Sequence, residues 1–153
     1  MSHDNSNTSA HVAILTVSDS RTIETDVSGV VALELLQDKG HLVMERITAC
    51  DDIEEIRSAV QSWLEDSSID AIVITGGTGI GKRDVTIEAV MPLCATTLQG
   101  FGELFRQLSY DEVGTKCMLS RAEAGIIEMG NHRVPVFLLP GSPKAVRLAV
   151  EKI

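Results

Sequence analysis

Two short apolar runs constrain this chain most, VAILTV at residues 12–17 and AIVIT at 71–75. Neither alternates apolar with polar residues. A strand with one wet face reads with a period of two, so an unbroken run of this length reads as a strand buried on both faces. Each run ends abruptly, the first at Ser18-Asp19-Ser20 and the second at Gly76-Gly77-Thr78-Gly79. Strands covered on both sides need helices on both sides, and the remaining sequence supplies them.

After a polar stretch over 18–28, Val30, Val31, Leu33, Leu35 and Leu36 mark a helix that Gly40 stops. His41 to Ile47 reads as a second strand. Asp52 with Glu55 three residues on is a capping-box pattern, and Ile56, Val60, Trp63 and Leu64 give the helix behind it one apolar face. Beyond the strand at 71–75, a helix is expected from Asp84 to Met91, stopped near Pro92, and another from Phe101 to Leu108. Residues 123–139 hold two strand-like runs around Met129-Gly130-Asn131-His132, a hairpin turn. Pro140-Gly141-Ser142-Pro143 then breaks the chain, with Pro143 in the first turn of a last helix. The expected fold is three-layer α/β/α, with a mainly parallel, doubly wound sheet plus a short hairpin. The polar MSHDNSNTSA at 1–10 reads as a disordered lead and residues 11–153 as one domain, its last helix cut short at Ile153.

Composition narrows the function. The chain has 153 residues, enough for a core without staples. Aromatic residues are only 3%, so Val, Ile, Leu and Ala must build that core. Thirteen basic against 22 acidic residues give a net charge of −9. With no dense Lys/Arg run, this argues against a nucleic-acid partner and against docking on anionic lipid. No apolar run approaches the roughly 20 residues of a membrane span, and the polar residues 1–10 lack the apolar stretch expected of a signal peptide. Cys50, Cys94 and Cys117 lack metal-ligand spacing and read as buried or half-buried thiols in a reducing cytoplasm.

Ligands of doubly wound sheets sit beyond the carboxyl ends of the strands, so the turns at 18–20, 50–52, 76–79 and 140–142 should converge on one site. The run from Gly76 to Lys82 has the GxxxxGK spacing of a P-loop, but Arg83 stands where a Ser or Thr hydroxyl should hold Mg²⁺. A dinucleotide fingerprint from Gly77 would need Gly at Lys82. What remains is a loop whose closely spaced glycines expose backbone N–H groups to an anion or a flat polar ring.

Four motifs, GGTGIGKRDVTIEA (76–89), GFGELFRQLS (100–109), LSRAEAG (119–125) and PGSPKA (140–145), carry a resemblance to the MoaB/MogA family of molybdenum-cofactor biosynthesis proteins. It extends from about residue 12 to the end. The resemblance implies molybdopterin binding and, in active members, transfer of an adenylyl group from ATP with Mg²⁺. It places Asp84, in an intact RDVT, as a catalytic acid and metal holder, against the alternative of a helix N-cap. A second acid is implied at Asp51, with Asp52 one residue of slippage away and Cys50 in place of the usual preceding Pro. Ile87 stands where Pro often follows DVT. Around the pterin and its phosphate the resemblance places Gly76, Gly77, Thr78, Gly79, Ser109, Pro140, Gly141 and Ser142, and near the pocket Glu103 and Arg106, whose spacing equally suits a surface ion pair. Ser18 and Asp19 could line the cleft, and Lys82 and Arg83 could balance a triphosphate. A homotrimer or homohexamer is implied, with other proteins of the pathway as possible partners. The reading is a molybdopterin adenylyltransferase; the alternatives are a non-catalytic molybdopterin carrier and a P-loop NTPase.

Overall fold

In the computed structural model, which describes residues 8–153, the first apolar run is strand β1, His11–Val17. The first seven residues of the expected disordered lead lie outside the described residues. β1 sends Ala13, Leu15 and Val17 into one apolar core, and Val12 and Ile14 into another on the opposite face. This is the physical content of its unbroken hydrophobicity. Helix α1 (Val27–Asp38) leads to strand β2 (Leu42–Ala49), and helix α2 (Ile53–Leu64) to strand β3 (Ala71–Thr75). A short helix α3 (Thr86–Val90) runs into a 3-10 turn at Met91–Leu93, followed by a two-residue strand β4, Thr96–Thr97. Helix α4 (Gln99–Val113), strands β5 (Glu123–Met129) and β6 (His132–Leu139), and helix α5 (Pro143–Lys152) complete the chain.

The six strands lie in the order β2-β1-β3-β6-β5-β4. β2, β1, β3 and β6 run parallel, whereas β5 is antiparallel to both β6 and β4. Ile56, Val60 and Trp63 of α2 and Ala89 and Val90 of α3 cover one face. Ala32 and Leu36 of α1, Phe105 of α4, and Val146 and Ala149 of α5 cover the other. The expected three-layer α/β/α fold is therefore the observed one. From β1 the chain turns one way to β2 and then crosses to β3 on the far side. The carboxyl ends of β1 and β3 thus flank the topological switch point, where open α/β sheets bind ligands.

Several elements differ from the sequence reading. α3 starts at Thr86 and not Asp84, because Thr86 is drawn back onto the preceding loop: its Oγ1 donates to the Gly76 carbonyl at 2.8 Å and its N–H to the Gly77 carbonyl at 3.0 Å. α4 extends well past Leu108, its polar last turns ending at Gly114, whose φ of +64° suits glycine. β4 was not anticipated, since two exposed threonines carry no strand period. Of the three thiols, Cys50 is exposed and only Cys94 and Cys117 are half-buried. Cys50 precedes a helix whose Glu55 carboxylate accepts its N–H, and this holds the residue on the rim.

A cleft between the carboxyl ends of β1 and β3

The loops after β1, β2, β3 and β6 meet around a cleft of about 620 Å³, within the usual range for small-molecule sites. Its floor is the glycine loop. Gly76 has φ +99°, and a Cβ there would stand 2.2 Å from the Val17 carbonyl oxygen, so only glycine lets β3 turn this close to β1. Gly77 has φ +69°, and a Cβ there would collide with Thr86 Oγ1 and approach Asp51 Oδ1 to 3.3 Å. Among the described residues, the N–H groups of Gly77, Thr78, Gly79 and Ile80 donate to no protein acceptor. Such a run of open N–H groups makes a concavity for an anion.

Both expected acids line this cleft. Asp84 is no helix cap: its Oδ2 accepts the Gly81 N–H at 2.7 Å and lies 2.8 Å from where a Cβ on Gly79 would be. The two neighbouring aspartates differ in position. Asp52 caps α2, its Oδ1 accepting the Glu55 N–H at 3.0 Å, while Asp51 faces the cleft. Burial, followed by the negative charges of Asp19 and Asp84, raises the Asp51 pKa above the ordinary aspartate value. Asp19 is held below it by the guanidinium of Arg83, which grips it with contacts of 2.8 and 2.9 Å. Asp19 also accepts the N–H of Asp51 at 3.0 Å, so the first loop steadies the second. Lys82 is exposed and does not line the cleft.

The turn after β6 forms the opposite wall. Thr75 Oγ1 donates to the Pro140 carbonyl at 2.9 Å and Ser28 Oγ to that of Gly141 at 2.6 Å. Ser142 caps α5, its Oγ accepting the Ala145 N–H. Pro140, Gly141, Ser142 and Ser18 all line the cleft.

The structure does not bring the three α4 candidates to this cleft. Glu103 is exposed and Ser109 is packed inside, while Arg106 donates to the carbonyls of Ser120 and Ala122. Glu103 and Arg106 form no ion pair with each other. Conversely, the cleft contains residues that sequence reasoning passed over. Asp26 is buried at 2% exposure, caps α1, and accepts bonds from Thr16 Oγ1 at 2.7 Å and Arg46 Nη1 at 2.8 Å. The sequence signal was an Asp just ahead of a helix, obscured by the polar stretch around it. Arg21 also lines the cleft, and among the described residues its guanidinium has no partner.

The donor set can be tested against Mg²⁺. Carboxylate oxygens are its preferred ligands, and it commonly takes one or two from protein and the rest from water and substrate phosphates. Asp51 and Asp84 meet that description. No group of three or more metal-binding side chains gathers among the described residues, so a cage made by protein alone is absent there. The repulsion that raises Asp51 is what a bound cation would relieve.

The family model described as "Probable molybdopterin binding domain" matches residues 13–153. Molybdenum cofactor biosynthesis protein B of Staphylococcus epidermidis is 48% identical over 147 residues, covering 94% of this chain and 81% of that protein. A crystal structure of a molybdenum cofactor biosynthesis protein B superposes with a TM-score of 0.89 at 46% identity, covering 96% of this chain and 89% of that one. The tungsten cofactor synthesizing protein MoaB of Pyrococcus furiosus gives 0.85 at 39% identity, covering 94% and 89%. With all but the first two residues of the sheet, the glycine loop and all four converging turns inside the matched span, this chain belongs to the molybdopterin-binding domain family of molybdenum-cofactor biosynthesis proteins.

Proposed function

We propose that this protein acts in molybdenum cofactor biosynthesis as a molybdopterin adenylyltransferase. The observation that carries the reading is the apposition of two cleft carboxylates, Asp51 and Asp84, to a glycine loop with open N–H groups. The terminal phosphate of molybdopterin attacks the α-phosphorus of ATP. A phosphate oxygen forms the new P–O bond, the bond to the β-phosphate breaks, and pyrophosphate leaves. The glycine loop and the Pro140-Gly141-Ser142 turn hold the pterin and its phosphate. Arg21 supplies positive charge to a cleft otherwise rich in carboxylates. Asp51 and Asp84 are the residues that would hold Mg²⁺, which supplies charge neutralisation for the triphosphate when bound. Catalysis is then positioning and electrostatics, without a covalent enzyme intermediate.

The test is formation of adenylylated pterin from molybdopterin, ATP and Mg²⁺ by wild type and Asp84→Asn. We expect product formation to fall by about 10²–10³-fold, the scale of losing one preorganised contact, with molybdopterin still bound. Wild-type protein that binds the pterin and makes no product would instead be a carrier.

No helix among the described residues is long and apolar enough to cross a membrane. We place the protein in the cytoplasm, a reading supported by the three free cysteines, and as a homotrimer or homohexamer. Support for assembly comes from Leu104, Tyr110, Val113, Met118 and Leu119, large apolar residues exposed on and just beyond α4. Sedimentation equilibrium at micromolar concentration should give three or six chains, and a monomer would contradict this.

A further inference from the structure

We infer that Arg121 is the positioning residue of the glycine loop, and that Arg106 holds the backbone of Arg121 in place for that task. The inference rests on the cleft being a molybdopterin site. Arg121, just before β5, grips three loop carbonyls at once. Its N–H donates to Thr78 at 2.8 Å, its Nε to Gly79 at 2.7 Å and its Nη2 to Asp84 at 2.9 Å. Its Nη1 pairs with the Glu88 carboxylate of α3, which orients the fork.

The consequence follows from peptide geometry. In a trans peptide the carbonyl of one residue and the N–H of the next point in opposite directions. Holding the carbonyls of Thr78 and Gly79 toward Arg121 therefore turns the N–H groups of Gly79 and Ile80 away from it. Thr78 and Gly79 line the cleft and Arg121 does not, so the arginine grips the loop from behind. The bond to the Asp84 carbonyl fixes the backbone from which the Asp84 carboxylate projects. A planar fork with several donors can span these carbonyls, and the point charge of a lysine cannot.

Arg106 completes the arrangement from α4. Its Nη1 donates to Ser120 at 3.3 Å and Ala122 at 2.9 Å, the two carbonyls flanking residue 121. The close approach of α4 depends on Gly102, where a Cβ would stand 2.5 Å from the Ala122 oxygen. The GFGELFR motif thus acts on the site without entering it, and LSRAEAG acts on it mainly from behind, with Ser120 alone of its residues at the cleft wall.

The experiment compares wild type with Arg121→Lys, Arg121→Met, Arg106→Lys and Glu88→Gln, reading molybdopterin affinity and amide hydrogen exchange together. Both Arg121 variants should bind molybdopterin at least about tenfold more weakly, the scale of losing a supporting contact behind a site. The bonded amides of Gly81, Asp84 and Thr86 should exchange faster, while those of β1 and β3 stay protected. Arg106→Lys and Glu88→Gln should move both readouts the same way by a smaller factor. Faster loop exchange at wild-type affinity would make the arginines merely structural and overturn the proposal, as would unchanged exchange. If Arg121→Met exposes the strand amides as well, Arg121→Lys and Glu88→Gln decide by the same criteria. Wild type that binds molybdopterin but makes no product would sink the adenylyl-transfer reading and leave this one standing. Wild type that does not bind it would sink both.

Discussion

At Asp51 the needs of the cleft and of the fold pull in opposite directions. Burial and the nearby carboxylates of Asp19 and Asp84 raise its folded pKa above the ordinary 3.8. Between those two values the native state holds more proton than the unfolded chain, so stability falls as pH rises through that window. The loss persists at neutral pH, where the ionised group is half-buried near like charges. Asp51→Asn should therefore melt higher than wild type at pH 7, with a gain that shrinks as pH falls through the raised folded pKa and is gone below 3.8. Each 1 kcal/mol gained would read as about 2–4 °C in Tm for a chain of this size. The same variant should lose adenylyl transfer. A variant that melts no higher would show that the site imposes no electrostatic strain on the fold. Sequence alone placed a carboxylate at this strand end but could not measure its surroundings, because Asp19 and Asp84 are distant in the chain and meet only through the fold.

Among the elements, the start of α1 is the part least legible in the sequence. The stretch over 18–28 reads as an undifferentiated polar loop, yet Asp26 within it is almost wholly buried. It ties three elements together: it caps α1 through the Gly29 N–H, accepts from Thr16 of β1, and pairs with Arg46 of β2. Arg46 also donates to the Ile23 carbonyl, which ties the middle of the loop to β2. Replacing Asp26 by Ala would leave the half-buried Arg46 guanidinium without its carboxylate and the Gly29 N–H without its cap, at a cost of about 2–3 kcal/mol, below the fully buried case because Arg46 still reaches water. Urea unfolding should show the midpoint falling with the slope unchanged; a shift that, multiplied by the slope, comes to less than about 1 kcal/mol would mean that Arg46 finds another partner. By contrast, the start of α2 was readable to the residue, and that of α5 to within its first turn. Asp52 and Ser142 cap them through local bonds that sequence spacing already specifies. α4 was underestimated because its last turns pack against little, and periodicity marks only the part that is buried.

For the whole molecule, the alternation of doubly buried strands with amphipathic helices made the α/β/α layering legible, and with it the edge where ligands bind. The strand order was less accessible: nothing in the hairpin says that β6 inserts beside β3 while β5 and β4 stack outside it. The candidate site was legible wherever its residues follow strands, as Asp51, Gly76–Gly79 and Pro140–Ser142 do. Support reaching the site from α4 and the segment before β5 depends on arginines whose targets are backbone carbonyls, and a carbonyl leaves no mark in a sequence. What distinguishes an enzyme from a carrier here is whether the cleft carries out transfer. ATP labelled separately at the α- and γ-phosphates, incubated with molybdopterin, Mg²⁺ and the wild-type protein, gives the most direct test. The α label should end on the pterin and the γ label in pyrophosphate. Release of the γ label as free phosphate, or tight pterin binding with no label transferred, would contradict it.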